Sequence, residues 1–76
     1  MSKADEMFEK LGYKMNEEET IVTYFRRGAF VDGYIKFDLA DKVVCAEMGY
    51  NHESKDIEMQ ELQAINEKVK ELGWNE

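Results

Sequence analysis

Apolar residues recur at helical spacing near the start of the chain. They share one face of a helix at Ala4, Met7, Phe8 and Leu11. Ser2 is a suitable N-cap for this helix, because Asp5 follows three residues later in a position like that of a capping box. Gly12 is a suitable residue to end it. The pattern predicts a short amphipathic helix between Ser2 and Gly12.

A longer helical pattern occupies the end of the chain. Its apolar residues recur at steps of three or four, at Met59, Leu62, Ile65, Val69 and Leu72. Glu58 is the predicted N-cap, with Asp56 as the alternative, and Gly73 ends the helix. This apolar stripe predicts the face that packs against the rest of the protein.

Three segments between the helices have the composition of β-strands. Residues 20–27 are almost all β-branched or aromatic, residues 34–39 alternate apolar with polar, and residues 42–48 follow a short turn. An antiparallel register with Asp38 opposite Val43 puts every pair of residues on a common face. We expect polar connectors at 16–19 and 49–56. The connection at 28–33 stays open, because its apolar residues can extend either strand.

These elements predict an α+β fold with the order helix, three strands, helix. The three strands form an antiparallel meander, and both helices pack on one face of it. That face carries Ile35, Phe37, Val44 and Ala46. With 76 residues, of which 43% are hydrophobic, the chain has material for one modest core. We therefore expect a single domain over residues 1–76.

Composition excludes several classes of function. Cys45 is the only cysteine, so no intramolecular disulfide forms and a cytoplasmic setting is expected. No apolar run approaches the ~20 residues of a membrane span, and the first residues lack the pattern of a signal peptide. With 17 acidic against 10 basic residues, the net charge is −7 and the only adjacent basic pair is Arg26 and Arg27. We expect no binding to nucleic-acid phosphates.

Candidate catalytic residues are sparse. Cys45 and His52 are the only cysteine and histidine, and nothing in their spacing joins them as nucleophile and base. Four Cys or His ligands of a structural zinc site are not available, and no glycine-rich phosphate loop occurs. We expect no catalytic activity, no cofactor and no metal site.

The face of the sheet turned away from the helices is the candidate functional surface. It is too apolar for an ordinary solvent-exposed face, and the strand pattern assigns to it Tyr24, Arg26, Tyr34, Lys36, Val43, Cys45 and Glu47. Phe25 replaces Tyr24 if the first strand is turned over. Arginine and tyrosine are enriched in interface hot spots, so this face is predicted to bind another protein or a second copy of the chain.

The two ends of the chain resemble small uncharacterised phage and prophage proteins of Firmicutes. The resemblance is carried by residues 1–13, MSKADEMFEKLGY, and by residues 59–74, MQELQAINEKVKELGW. It implies a mobile-element origin, a bacterial host cytoplasm, and a role in binding a host or phage protein. The alternatives are a self-associating homodimer and an acidic mimic of DNA that inhibits a host nuclease or defence enzyme.

Overall fold

The computed structural model describes residues 2–74 and has two helices and five strands. In chain order the elements are α1 (Lys3–Lys10), β1 (Lys14–Glu17), β2 (Ile21–Arg26), β3 (Gly33–Asp38), β4 (Val43–Met48), β5 (Glu53–Ser54) and α2 (Met59–Leu72). The strands form one antiparallel sheet in the order β1-β2-β3-β4-β5. The α+β class is confirmed.

The predicted three-stranded meander forms the centre of a wider sheet. The register of β3 and β4 agrees with the prediction at every pair, from Tyr34 opposite Glu47 to Asp38 opposite Val43. The prediction of only three strands is wrong, because β5 lies within one segment expected to be a connector and β1 overlaps the other. All residues of these two edge strands are exposed, so neither has the alternation of apolar and polar residues that identifies a strand.

The helix ends follow the predicted chemistry. Ser2 is the N-cap of α1, and its Oγ accepts a hydrogen bond of 3.1 Å from the backbone N–H of Asp5. Glu58 is the N-cap of α2, and its backbone N–H donates to Oε1 of Glu61 at 3.0 Å. Gly73 ends α2 in the left-handed conformation, with φ of 75°.

The core lies between the two helices and one face of the sheet. Phe8 of α1 is fully buried, stacks on Tyr24 with ring centroids 3.8 Å apart, and meets Phe37 edge to face at 6.2 Å. The remaining buried core residues are Tyr13, Val22, Ile35, Ala64 and Ile65. The aromatic group centred on Phe8 therefore joins α1 to the middle strands.

Helix α2 is turned relative to the predicted stripe. Met59 is 68% exposed and Leu62 is 37% exposed, whereas Glu61 and Lys68 are buried. The prediction that Met59 and Leu62 belong to the packed face is wrong. Two positions of that face hold buried charged residues, each in an ion pair, and a pattern of apolar residues does not detect them.

Candidate functional site

The exposed face of the sheet carries most of the predicted interface residues. Side chains opposite each other across the strands point to the same face, which gives this surface three rows. We call it the open face, and it comprises Lys14, Asn16, Ile21, Thr23, Phe25, Tyr34, Lys36, Asp38, Val43, Cys45, Glu47 and Ser54. The predicted positions of Tyr34, Lys36, Val43, Cys45 and Glu47 on this face are confirmed.

Tyr24 and Arg26 lie on the opposite face, so their predicted placement on the open face is wrong. Tyr24 is 1% exposed beneath the helices, and Arg26 reaches the buried carboxylate of Glu61. Phe25, between them, points to the open face, where it is paired with Tyr34. Adjacent aromatic residues gave the first strand two possible orientations, and the core contact of Tyr24 with Phe8 selects one of them.

An aromatic and charged cluster covers one end of the open face. The ring of Tyr34 lies 5.4 Å from that of Phe25 and 4.5 Å from the imidazole of His52. Glu47 accepts from Lys36 Nζ at 3.0 Å and contacts His52 Nδ1 at 3.2 Å. The hydrogen bond from Lys36 lowers the pKa of Glu47 more than burial raises it. This cluster holds His52 against the sheet.

Two loops at the same end of the sheet present apolar side chains to solvent. Phe30, between β2 and β3, and Tyr50, between β4 and β5, are each 99% exposed, and Val31 is 53% exposed. We call these three residues the aromatic tip. A depression of about 340 Å³ lies between the loops and reaches Tyr34 of the open face. The tip and the open face are therefore neighbouring surfaces.

Hydrogen bonds fix the two loops of the aromatic tip relative to each other. The backbone N–H of Gly49 donates to the carbonyl of Asp32 at 2.9 Å. Asp32 also accepts from the backbone N–H of Gly28 through its side chain at 3.3 Å. Gly28 is required by the turn, because a Cβ there would lie 1.9 Å from the carbonyl oxygen of Val31. The loop that carries Phe30 has a defined shape.

A buried carboxylate joins α2 to the sheet beside the tip. Glu61 accepts a short hydrogen bond from Tyr13 Oη, one from Lys55 Nζ at 2.8 Å and one from Arg26 at 3.3 Å. The guanidinium of Arg26 also lies 4.6 Å from the centre of the Tyr13 ring. Every partner of Glu61 comes from outside α2, so this cluster fixes the helix to the sheet end that carries the tip.

A partly buried ion pair lies along the helix pair. Lys68 is buried and donates to Glu71 at 2.6 Å, with Asp5 Oδ1 at 3.9 Å. Asp5 accepts a 2.5 Å hydrogen bond from the hydroxyl of Tyr24. Every charged group in this cluster has a partner, so it satisfies the polar groups of the helix interface. The arrangement positions the helices and offers no free nucleophile.

One buried and one partly buried carboxylate predict a loss of stability in acid. Burial raises the pKa values of Asp5 and Glu61, but their hydrogen bonds and nearby lysines outweigh burial and hold both pKa values below the ordinary 3.8 and 4.5. Because the unfolded chain then binds more protons, the free energy of unfolding falls as pH drops below these ordinary values. The decline should be shallower in Asp5→Asn than in the exposed-site control Asp41→Asn. Thermal unfolding between pH 7 and pH 2.5 measures this difference, and parallel profiles for the two variants would contradict it.

The two residues considered for catalysis, Cys45 and His52, lie in different surroundings. Cys45 is exposed on the open face opposite Lys36, whereas His52 contacts Glu47 and Tyr34 in the turn before β5. Within residues 2–74, no three His, Cys, Asp and Glu side chains are grouped to hold a metal ion. No helix in the part of the chain that the structure describes is long and apolar enough to cross a bilayer.

The comparisons with known proteins leave the fold and its surfaces as the basis for any functional argument. None of the protein-family models, curated proteins or solved structures compared with this chain matches it.

The sequence did not single out the aromatic tip. Two signals were present, an apolar pair between Gly28 and Gly33 and a tyrosine directly after Gly49, and both fall in turns where an apolar side chain has no core to enter.

Proposed function

We propose that this chain is a non-catalytic protein-binding module of phage or prophage origin, which acts on a host or phage protein in the bacterial cytoplasm. The observation that carries the proposal is the full exposure of Phe30 and Tyr50 at one end of the sheet. Burying an aromatic side chain of this size stabilises a complex by about 1.5–3 kcal/mol. Aromatic side chains of this kind dominate protein–protein hot spots.

The hydrogen bonds between the loops of the aromatic tip support the same function. The hydrogen bond between Gly49 and Asp32 holds the two loops together before any partner arrives. A surface that is already ordered loses less conformational entropy on binding than a flexible one does. The depression between Phe30 and Tyr50 has room for one apolar side chain of a partner. The tip is therefore suited to insert into, and partly enclose, an apolar feature of another protein.

The salt dependence of binding distinguishes this function from that of a DNA mimic that inhibits an enzyme. Contacts through Phe30, Val31 and Tyr50 are apolar, so binding should persist when salt is raised. A mimic of DNA would bind through carboxylates, and its affinity would fall steeply with ionic strength.

Site-specific photo-crosslinking tests the proposal. Benzoylphenylalanine replaces Phe30 in one sample and Tyr50 in another. In the control it replaces Ala40, which is exposed in the turn at the other end of the sheet. Each sample is irradiated in a lysate of a Firmicutes bacterium and of the same bacterium carrying a prophage. We expect one common adduct at positions 30 and 50 that is missing at position 40. The same adducts at all three positions, or none at positions 30 and 50, would contradict the proposal.

A further inference from the structure

The open face has a charge balance unlike that of the whole chain. It carries Lys14 and Lys36 against Asp38 and Glu47, whereas the protein has a net charge of −7. The net charge makes two copies of this chain repel each other, whereas two open faces, each with equal numbers of cations and anions, meet without net repulsion between their own charges.

One row of residues across the sheet is self-complementary. One row runs Lys14, Phe25, Tyr34, Glu47 across β1, β2, β3 and β4 and ends at Ser54 of β5. Within this row two aromatic rings lie between a cation and an anion, and the anion also pairs with Lys36 of its own chain at 3.0 Å. Consider a two-fold axis that runs parallel to the strands, over the boundary between β2 and β3. It places the row of one copy over the same row of the second copy in reverse order.

From this match we propose that the open face binds a second copy of the chain, with Lys14 of each copy over Glu47 of the other and Phe25 over Tyr34. Sheets packed face to face lie about 10 Å apart, a distance that side chains of these sizes span. The proposal does not depend on the function of the aromatic tip. It does place both tips at the same end of the dimer, because the axis runs along the strands.

The size of the open face sets the strength of this association. Four strands about 4.8 Å apart, three of six residues and β1 of four, with about 3.4 Å per residue, give roughly 360 Å² on each copy. A standard stable interface buries about 800 Å² on each partner, so the dimer is weak and depends on concentration. Its monomers are folded, because the core of residues 2–74 lies on the other face of the sheet.

Charge reversal tests the contact between Lys14 and Glu47 of different copies. Within one chain the two residues lie three strand spacings apart, about 14 Å, so a direct pair between them forms only across the interface. The two-fold axis makes the contact between positions 14 and 47 occur twice in a homodimer. Lys14→Glu puts two negative charges at each contact, and Glu47→Lys puts two positive charges there. A mixture of the two variants restores both attractive contacts in the heterodimer. Lys10→Glu on the exposed side of α1 is the control, because it makes the same charge change away from the open face.

Sedimentation equilibrium at increasing protein concentration measures the outcome. We expect a reversible dimer for the natural chain and for Lys10→Glu, and about tenfold weaker association for Lys14→Glu, which is the effect of two surface ion pairs turned to repulsion. Mixing Lys14→Glu with Glu47→Lys should recover the dimer. A natural chain that stays monomeric, or Lys14→Glu that associates as strongly as Lys10→Glu, would overturn the proposal. If Glu47→Lys does not fold, the comparison of the two lysine variants still decides the result.

Discussion

Replacing Glu61 with glutamine should leave this chain largely unfolded at 25 °C. The change keeps the size of the side chain but removes the charge that Lys55 and Arg26 share. The side chain of Lys55 is 11% exposed, so its ammonium group loses its counter-ion where little water can replace it. Removing one member of a buried ion pair costs about 3–5 kcal/mol, and domains of this size keep only about 3–5 kcal/mol of net stability.

Urea unfolding followed by circular dichroism measures this loss. The matched control is Glu67→Gln, because Glu67 lies on the same helix and meets Lys3 and Lys70 only at 4.0 Å on the surface. The control should change the free energy of unfolding by less than about 1 kcal/mol. If the two variants are equally stable, the cluster around Glu61 does not hold α2 to the sheet.

Phe8→Ala should produce the second large loss, of about 3–5 kcal/mol. The ring of Phe8 stacks on Tyr24 and meets Phe37 and Tyr13 edge to face. Its removal leaves a cavity between α1 and the middle strands, in a core too small to close over it.

Phe30→Ala is the control for Phe8→Ala, since it makes the same chemical change at a side chain that is 99% exposed. Its free energy of unfolding should stay within about 0.5 kcal/mol of that of the natural chain, as is usual for surface substitutions. Comparable losses in the two variants would show that Phe30 packs against the protein and would remove it from the aromatic tip.

The sequence was sufficient to predict features that depend on local chemistry. Alternation across β3 and β4 predicts their whole register, because a shift by one residue would bury Lys36 opposite Val44. The cap at Ser2 depends on residues within one turn of it. In both cases the interacting residues lie close together in the chain.

Features that depend on distant partners were not predictable in the same way. Glu61 is buried because Tyr13, 48 residues away, and Arg26, 35 residues away, supply its hydrogen bonds. A charged residue in a helical pattern otherwise indicates the solvent face. Likewise, Tyr24 and Phe25 are equivalent as strand residues until the core contact with Phe8 orients β2.

The aromatic tip is a third feature that the sequence did not predict. The sequence places Phe30 and Tyr50 in connections between strands but does not show how far these connections protrude. The structure leaves both side chains fully exposed because their loops extend beyond the end of the sheet. Sequence reasoning assigned the interface to the open face. The structure adds a second exposed apolar surface next to it, and the proposed function depends on that surface.

Isothermal titration calorimetry with the protein recovered by crosslinking tests the proposed function most directly. The double variant Phe30→Ser with Tyr50→Ser is compared with Val43→Ser, which removes an exposed apolar side chain at the other end of the sheet. We expect the double variant to weaken binding by about 100-fold or more, as the loss of two aromatic hot-spot residues implies, and the control to bind like the natural chain. Unchanged affinity in the double variant would contradict recognition through the aromatic tip.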